Sequence, residues 1–224
     1  CAVDQKYKDK NSEKYIRSNL KVLENIIDFA EKSKVKLIIN FSSVEVYGKN
    51  KKPILDEKCI PQNLNTYGFL KLISERYLFN KKINFINIRL PGIICNENIE
   101  LNRPWLNTIF NNMNKNKSIL VHNINNKFNN LITTHQIAKL TNFLINKKII
   151  IRDTFNFACR KPLIMNNILS YLKKELKSKS KIIKISGEKK SSFYISTKKL
   201  QNKLNFNPET TKNALDRHLK NFLV

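Results

Sequence analysis

The stretch that decides the fold is VKLIINFSS at residues 35–43, a short and largely apolar run that ends in two serines. Such a run is typical of a parallel strand that is buried on both faces, because a strand with one solvated face would alternate with polar residues. Ser42 and Ser43 therefore fall at the carboxyl end of a predicted strand. Ligands bind at this end in open α/β sheets, so the two hydroxyls are candidates for a functional site.

Predicted helices flank this strand on both sides in the sequence. An apolar stripe is formed by Ile16, Leu20, Leu23, Ile27 and Ala30. Its spacing predicts a helix over residues 12–32. A second helix is predicted over 64–79 and a second strand over 83–90, which is followed by Pro91 and Gly92. The order helix, strand, helix, strand predicts an α/β fold with a parallel sheet and right-handed crossovers.

Beyond Gly92 the pattern predicts shorter elements. Helices are predicted over 104–114, 134–146, 163–176, 196–204 and 210–222, and strands over 118–121, 154–158 and 181–185. We interpret residues 1–92 as part of a sheet domain and residues 93–224 mainly as a small α/β lobe. Some segments within about 118–158 are expected to return to the sheet domain.

Tyr67 and Lys71 lie four residues apart in the second predicted helix, so they project from one face, one turn apart. An ammonium beside a phenol favours the phenolate, which makes the pair a candidate for proton transfer. Ser43 supplies a hydroxyl that could orient a substrate oxygen against Tyr67. The alternative is that Tyr67 packs against the sheet and Lys71 is a solvated neighbour.

The formal charge of +25 raises the question of nucleic-acid binding. Seven of the 42 basic residues are Arg and the others are Lys, and the chain is also rich in Asn and Ile, three residue types with A/T-rich codons. A bias spread along the whole chain is typical of genome composition, and the lysines do not alternate with exposed aromatic residues. We therefore interpret the charge as a solvated surface, without a nucleic-acid partner.

Other site types find little support in the sequence. No apolar run approaches the roughly 20 residues of a membrane span, and no leader pattern is present, which predicts a cytoplasmic protein without membrane association. The four cysteines contain no CxxC pair and the three histidines lack ligand spacing, so we expect reduced thiols and no metal.

Several segments, taken in order, resemble the extended short-chain dehydrogenase/reductase superfamily, which contains the NAD-dependent sugar epimerases and dehydratases. These segments are the helix with Asn19, the strand end and turn at 41–48, the Tyr67-Gly68-x-x-Lys71 motif, the Ile88-Arg89-Leu90-Pro91-Gly92 strand end, and the terminal segments at 196–200 and 204–208. The resemblance covers almost the whole chain. It implies a partial Rossmann-like parallel sheet with flanking helices, plus a small C-terminal α/β substrate lobe.

The resemblance also implies an activity, namely an NAD(P)-dependent epimerase or reductase that acts on a nucleotide sugar or related sugar by hydride transfer. The implied catalytic residues are Ser43, Tyr67 as general base, and Lys71. The implied cofactor-binding residues, for NAD or NADP, are Ala2, Val3, Asn19, Ser42, Tyr67, Lys71 and Pro91. The implied substrate-binding residues are Ser43, Glu45, Gly92 and Arg103. A homodimer through the Tyr67 helix is a further expectation, although Leu64, Ile73 and Tyr77 would serve equally as core residues.

Two departures from the family pattern qualify this interpretation. Val44 stands where the 4,6-dehydratases carry aspartate beside glutamate, which disfavours a full dehydratase and makes Glu45 a loop carboxylate rather than a base. None of the four glycines belongs to the glycine-rich turn with which such folds bind pyrophosphate. We expect that roughly the first third of a Rossmann domain is absent from this sequence and that this polypeptide alone is inactive. The alternative function is a non-catalytic Rossmann-like binding or regulatory module, associated with RNA.

Overall fold

The computed structural model describes residues 12–95, 104–185 and 193–222, in which two compact units are distinguished. In chain order the helices are α1 Ser12–Lys32, α2 Thr66–Phe79, α3 Pro104–Asn114, α4 Thr134–Asn146, α5 Met165–Glu175, α6 Lys198–Leu204 and α7 Thr211–Phe222. The strands are β1 Ile38–Ser43, β2 Ile54–Leu55, β3 Phe85–Leu90, β4 Gly92–Ile94, β5 Ile119–Val121, β6 Lys127–Phe128, β7 Leu131–Thr133, β8 Arg152–Asn156, β9 Leu163–Ile164, β10 Ile182–Lys184 and β11 Tyr194–Ile195. A 3₁₀ turn spans Val44–Tyr47.

The first unit is built on a parallel sheet with the strand order β1-β3-β8. Its register places Ser42 beside Arg89 and Ser43 beside Leu90, so the carboxyl ends of β1 and β3 are level. Arg89 in turn pairs with Asn156 at the end of β8. Polar side chains from three neighbouring strands therefore meet at the sheet edge where ligands bind in folds of this type.

Helices α1 and α2 pack on one face of this sheet. The core there is formed by Ile27, Leu78 and Phe85, with Ile38 and Tyr77 partly buried against it. Residues of β1 alternate between the two faces, so Phe41 points away from this core and is 41% exposed. The prediction that the strand over 35–43 is buried on both faces is therefore wrong for β1. The neighbouring β3 is buried at all six positions.

In the described part of the second unit, short strands form four pairs. β2 pairs with β11, β4 with β7 and β5 with β10, all parallel, whereas β6 and β9 are antiparallel. Residues 51–56 belong to this unit through the β2–β11 pair, and residues 143–156 belong to the first unit, in which β8 extends the sheet. The predicted division at residue 92 omits the exchange of residues 51–56, whereas residues 143–156 lie within the range of about 118–158 in which a return to the first domain was expected. The α/β class with parallel strands and flanking helices is confirmed.

Helix α7 contains a buried histidine that makes the second unit sensitive to acid. His218 is 1% exposed and its ring lies edge-on to Phe110 of α3, with 4.7 Å between centroids. Burial lowers the pKa of His218 from 6.5 to about 4, because the charged imidazolium loses its hydration. At pH values between about 4 and 6.5, His218 is protonated in the unfolded chain but neutral in the folded chain. The free energy of unfolding therefore falls as the pH drops from about 6.5 to about 4.

We expect this histidine to contribute a loss of about 3 kcal/mol in the free energy of unfolding over that interval. Urea unfolding at several pH values measures it, and His218→Phe should show a weaker dependence than wild type. His122→Phe, at an exposed position, is the control and should keep the wild-type dependence. Equal acid sensitivity of His218→Phe and wild type would contradict the assignment.

Candidate active site

Ser43 ends β1 and begins the 3₁₀ turn that follows. Its backbone is extended, and its hydroxyl oxygen accepts a hydrogen bond from the Glu45 N–H at 3.2 Å, which caps the turn. The same hydroxyl is hydrogen-bonded to the phenol of Tyr67. The hydrogen bond from the Glu45 N–H therefore holds Ser43 in an orientation in which its hydroxyl contacts the Tyr67 phenol.

The first turn of α2 places Tyr67 in that contact. Asn65 caps the helix, with its Oδ1 accepting from the Gly68 N–H at 2.7 Å and its Nδ2 donating to Glu45 Oε2 at 3.2 Å. A Cβ on Gly68 would lie only 2.3 Å from the Glu45 carbonyl oxygen, so glycine is what allows the helix to start this close to the 3₁₀ turn. Because Gly68 lies this close to the 3₁₀ turn, the preceding residue, Tyr67, is in contact with Ser43.

This close approach predicts that Gly68→Ala loosens the start of α2. Overpacking costs about 1–3 kcal/mol, which should exceed the ~1 kcal/mol that alanine gains over glycine inside a helix. We expect a net loss of stability in urea unfolding, because α2 can no longer start this close to the 3₁₀ turn. Arg76→Ala, at an exposed position of the same helix, is the control. A Gly68→Ala protein as stable as wild type would show that the approach does not matter.

Lys71 follows Tyr67 by one turn of α2 and lies on the same side. Its Nζ donates to the Phe41 carbonyl oxygen at 2.9 Å and lies 5.7 Å from the centroid of the Tyr67 ring. Both side chains line a small pocket of about 40 Å³, the other lining residues being Asn19, Leu20, Leu23 and Leu70. The structure thus brings Ser43, Tyr67 and Lys71 together, and it adds Asn19, whose Nδ2 donates to the Tyr15 carbonyl at 2.7 Å.

The electrostatics of Tyr67 differ from the sequence expectation. Burial raises the pKa of the Tyr67 phenol above its usual value, and the nearby Glu45 carboxylate raises it further, while the hydrogen bond with Ser43 works in the opposite direction. Burial also lowers the pKa of Lys71. We expected the lysine to lower the phenol's pKa, but the direction is upward because desolvation dominates. In this structure both groups are displaced toward their neutral forms.

Ser42 faces the interior of the first unit. Its hydroxyl donates to Glu75 Oε1 at 2.6 Å, and Arg89 donates to both carboxylate oxygens of Glu75, from Nε at 3.0 Å and from Nη2 at 2.7 Å. Ser42, Glu75 and Arg89 are all buried. The Ser42 side chain is thus engaged in the core rather than directed toward a cofactor. The pairing of Glu75 with Arg89 was not predicted from the sequence.

The remaining predicted residues are placed as follows. Glu45 is exposed beside Asn65, and Pro91 and Gly92 are buried at the start of the second unit. Ala2, Val3 and Arg103 lie outside the described residues. The binding roles of these six residues stay predictions. Within residues 12–95, 104–185 and 193–222, every helix is too short or too polar to span a bilayer.

Comparison with known families gives a match over more than half of the chain. The model of the NAD dependent epimerase/dehydratase family matches residues 3–130 of the 224. A search of curated protein sequences finds no significant match.

Solved structures show the same fold at low sequence identity. UDP-N-acetylglucosamine 4-epimerase from Methanobrevibacter ruminantium, in complex with UDP-N-acetylmuramic acid, is 18% identical over 100% of this chain and 74% of its own, with a TM-score of 0.79. WbmG from Bordetella bronchiseptica, in complex with NAD, is 14% identical over 98% and 70%, with a TM-score of 0.79. RMD from Pseudomonas aeruginosa, complexed with NADPH, is 16% identical over 100% and 79%, with a TM-score of 0.77. Across these and five further matched structures, this chain spans 62% to 79% of the other chain's length.

Proposed function

This chain belongs to the NAD dependent epimerase/dehydratase family, and on that premise we propose that it is an NAD- or NADP-dependent epimerase or reductase of a nucleotide sugar or related sugar. The observation that carries the proposal is the contact of Tyr67 with Ser43, with Lys71 one turn further along α2. Because the Tyr67 phenol and the Ser43 hydroxyl are in contact with each other, both can hydrogen-bond to the same substrate oxygen.

Tyr67 is the residue that exchanges a proton with that oxygen. As a phenol it gives a proton to a carbonyl oxygen that is being reduced, and as a phenolate it takes one from a hydroxyl that is being oxidised. The raised pKa of Tyr67 favours the phenol at neutral pH, which is the form that gives the proton. The Lys71 ammonium stabilises the phenolate by its positive charge when the proton is taken.

Ser43 is the residue that orients the substrate. Its hydroxyl is held by the N–H of Glu45, which fixes the oxygen while leaving its proton available for a hydrogen bond. A substrate oxygen that takes the place of the Ser43–Tyr67 contact would then be held within reach of the phenol. The two side chains have separate tasks, with Ser43 fixing the position of the substrate and Tyr67 moving the proton.

The side chains around the small pocket beside Tyr67 are of the kinds that bind one end of the cofactor. Lys71 and Asn19 supply donors suited to ribose hydroxyls, and the leucines of the pocket supply an apolar wall suited to a planar ring. When bound, NAD or NADP supplies the acceptor and donor of hydride. The described glycines, Gly48, Gly68 and Gly92, lie far apart and form no glycine-rich turn, and the cofactor contact proposed here concerns the nicotinamide ribose end.

The proposal is tested by product formation. Protein expressed from the complete gene, called the intact protein below, is incubated with NAD or NADP and a panel of nucleotide sugars that includes UDP-N-acetylglucosamine, and the sugars are followed by proton NMR. New anomeric signals that depend on the protein and on the cofactor are the expected result. If every sugar is unchanged with both cofactors while an RNA is bound with a strong salt dependence, the non-catalytic alternative is correct and the proposal fails.

A further inference from the structure

The Glu75–Arg89 ion pair is the centre of a larger buried network in the first unit. Glu75 is 5% and Arg89 7% exposed. Besides its two bonds to Glu75, Arg89 donates from Nη1 to the Tyr47 hydroxyl at 3.1 Å, and its guanidinium lies 5.0 Å from the centroid of the Tyr47 ring. The Tyr47 hydroxyl donates in turn to Asn156 Oδ1 at 2.6 Å. One arginine side chain thus links β3 to α2 and to the 3₁₀ turn, and through Tyr47 to β8.

Two residues of the candidate site, Ser43 and Lys71, are direct neighbours of this network. Ser42, which donates to Glu75, immediately precedes Ser43. Glu75 follows Lys71 by one turn of α2, on the same face of the helix. Tyr47 ends the 3₁₀ turn that Ser43 begins. A change in the network therefore reaches Ser43 through one peptide bond and reaches Lys71 through one helical turn.

The geometry of the pair indicates a function beyond stability. Burying two charges costs about as much as their attraction returns, and apolar residues of similar volume often replace such pairs without loss of stability. An apolar pair cannot fix the relative orientation of the two elements that carry it, because apolar contacts have no preferred direction. A planar guanidinium bound to both oxygens of a carboxylate fixes the distance and the rotation of the two elements that carry them. Here those elements are β3 and α2, and Ser42 extends the same restraint to β1.

We infer that Glu75 and Arg89 are positioning residues, whose ion pair together with Ser42 and Tyr47 sets the place of the Tyr67 phenol against the Ser43 hydroxyl. The inference rests on the proposed function, because the reaction assigned to Tyr67 is what this position serves. The network does not include the groups that we assign to substrate. Its loss should therefore lower kcat and leave KM unchanged.

Kinetic measurements on the intact protein test the inference. The double variant Glu75→Leu/Arg89→Met keeps the volume of the pair and removes its hydrogen bonds, and Arg89→Lys keeps the charge without the two-pronged contact. We expect a folded double variant with kcat reduced at least roughly tenfold, KM within about twofold of wild type, and a smaller loss of kcat for Arg89→Lys. The matched control is Arg17→Lys, in an exposed Arg17–Glu13 pair of the same 2.7 Å length, and it should be unchanged. Wild-type kcat in both network variants would overturn the inference.

A second readout separates this inference from the proposed function. In protein labelled with ¹³C at tyrosine Cζ, the signal of Tyr67 is identified by its loss in Tyr67→Phe. We expect the signal to shift in Arg89→Lys and in the double variant, and to stay in place in Arg17→Lys. If the intact protein converts no nucleotide sugar, the proposed function fails, whereas a shifted Tyr67 signal still supports the positioning role. An unmoved signal in both network variants overturns it.

Discussion

Tyr67→Phe is expected to reduce turnover of the nucleotide sugar by about two to four orders of magnitude, the usual contribution of a positioned proton-transfer group. Phenylalanine keeps the ring that lines the pocket and removes only the hydroxyl that meets Ser43. The loss should appear in kcat, because the proton is transferred in the chemical step. Initial rates at saturating substrate, compared for variant and wild type, measure it.

Tyr77→Phe is the matched control for this substitution. It removes a hydroxyl from the same helix, at a residue that packs against the core of the first unit. Its turnover should equal that of wild type, and circular dichroism and urea unfolding should show that both variants are folded. Wild-type activity in Tyr67→Phe would show that the Tyr67 hydroxyl takes no part in the reaction.

Gly48→Ala is expected to cost at least ~3 kcal/mol in the free energy of unfolding. Gly48 has φ of 61° and ψ of −138°, a conformation that costs other residues about 1–3 kcal/mol. A Cβ there would lie 1.9 Å from the Gln62 carbonyl oxygen, which is a backbone atom and also accepts from the Lys49 N–H at 2.7 Å. The collision adds to the strain, because neither side can rotate away.

Urea unfolding measures this prediction, with Lys49→Ala as the control at the exposed neighbouring position. Lys49→Ala keeps every backbone hydrogen bond of the turn and should lie within about 0.5 kcal/mol of wild type. A Gly48→Ala protein with the stability of Lys49→Ala would show that the turn can relax around a side chain.

The elements that place the candidate site could be predicted from the sequence. α1 begins and ends at the predicted residues, and α2 and β1 lie within a few residues of their predicted positions. Apolar periodicity is a strong signal over such lengths. In the second unit β5 and β10 were predicted, whereas the other strands of two or three residues were missed, since a period cannot be recognised in so few positions.

The side-chain partners of the site were harder to predict. Asn65 could have been recognised, because asparagine before a helical pattern is a typical N-cap. The pairing of Glu75 with Arg89 depends on which face of α2 meets β3, and residues 14 apart in sequence give no sign of that contact. The exposure of Phe41 could likewise not be predicted, because an apolar run does not indicate which face of a strand other elements cover.

The most direct test of the central claim, that Ser43, Tyr67 and Lys71 form the proton-handling half of a hydride-transfer site, is the absorbance of reduced nicotinamide during the first turnover. The intact protein is mixed rapidly with oxidised cofactor and a nucleotide sugar, and wild type is compared with Tyr67→Phe. The account predicts a transient of reduced cofactor in wild type and none in the variant. Transients of equal size and rate in both proteins would contradict it.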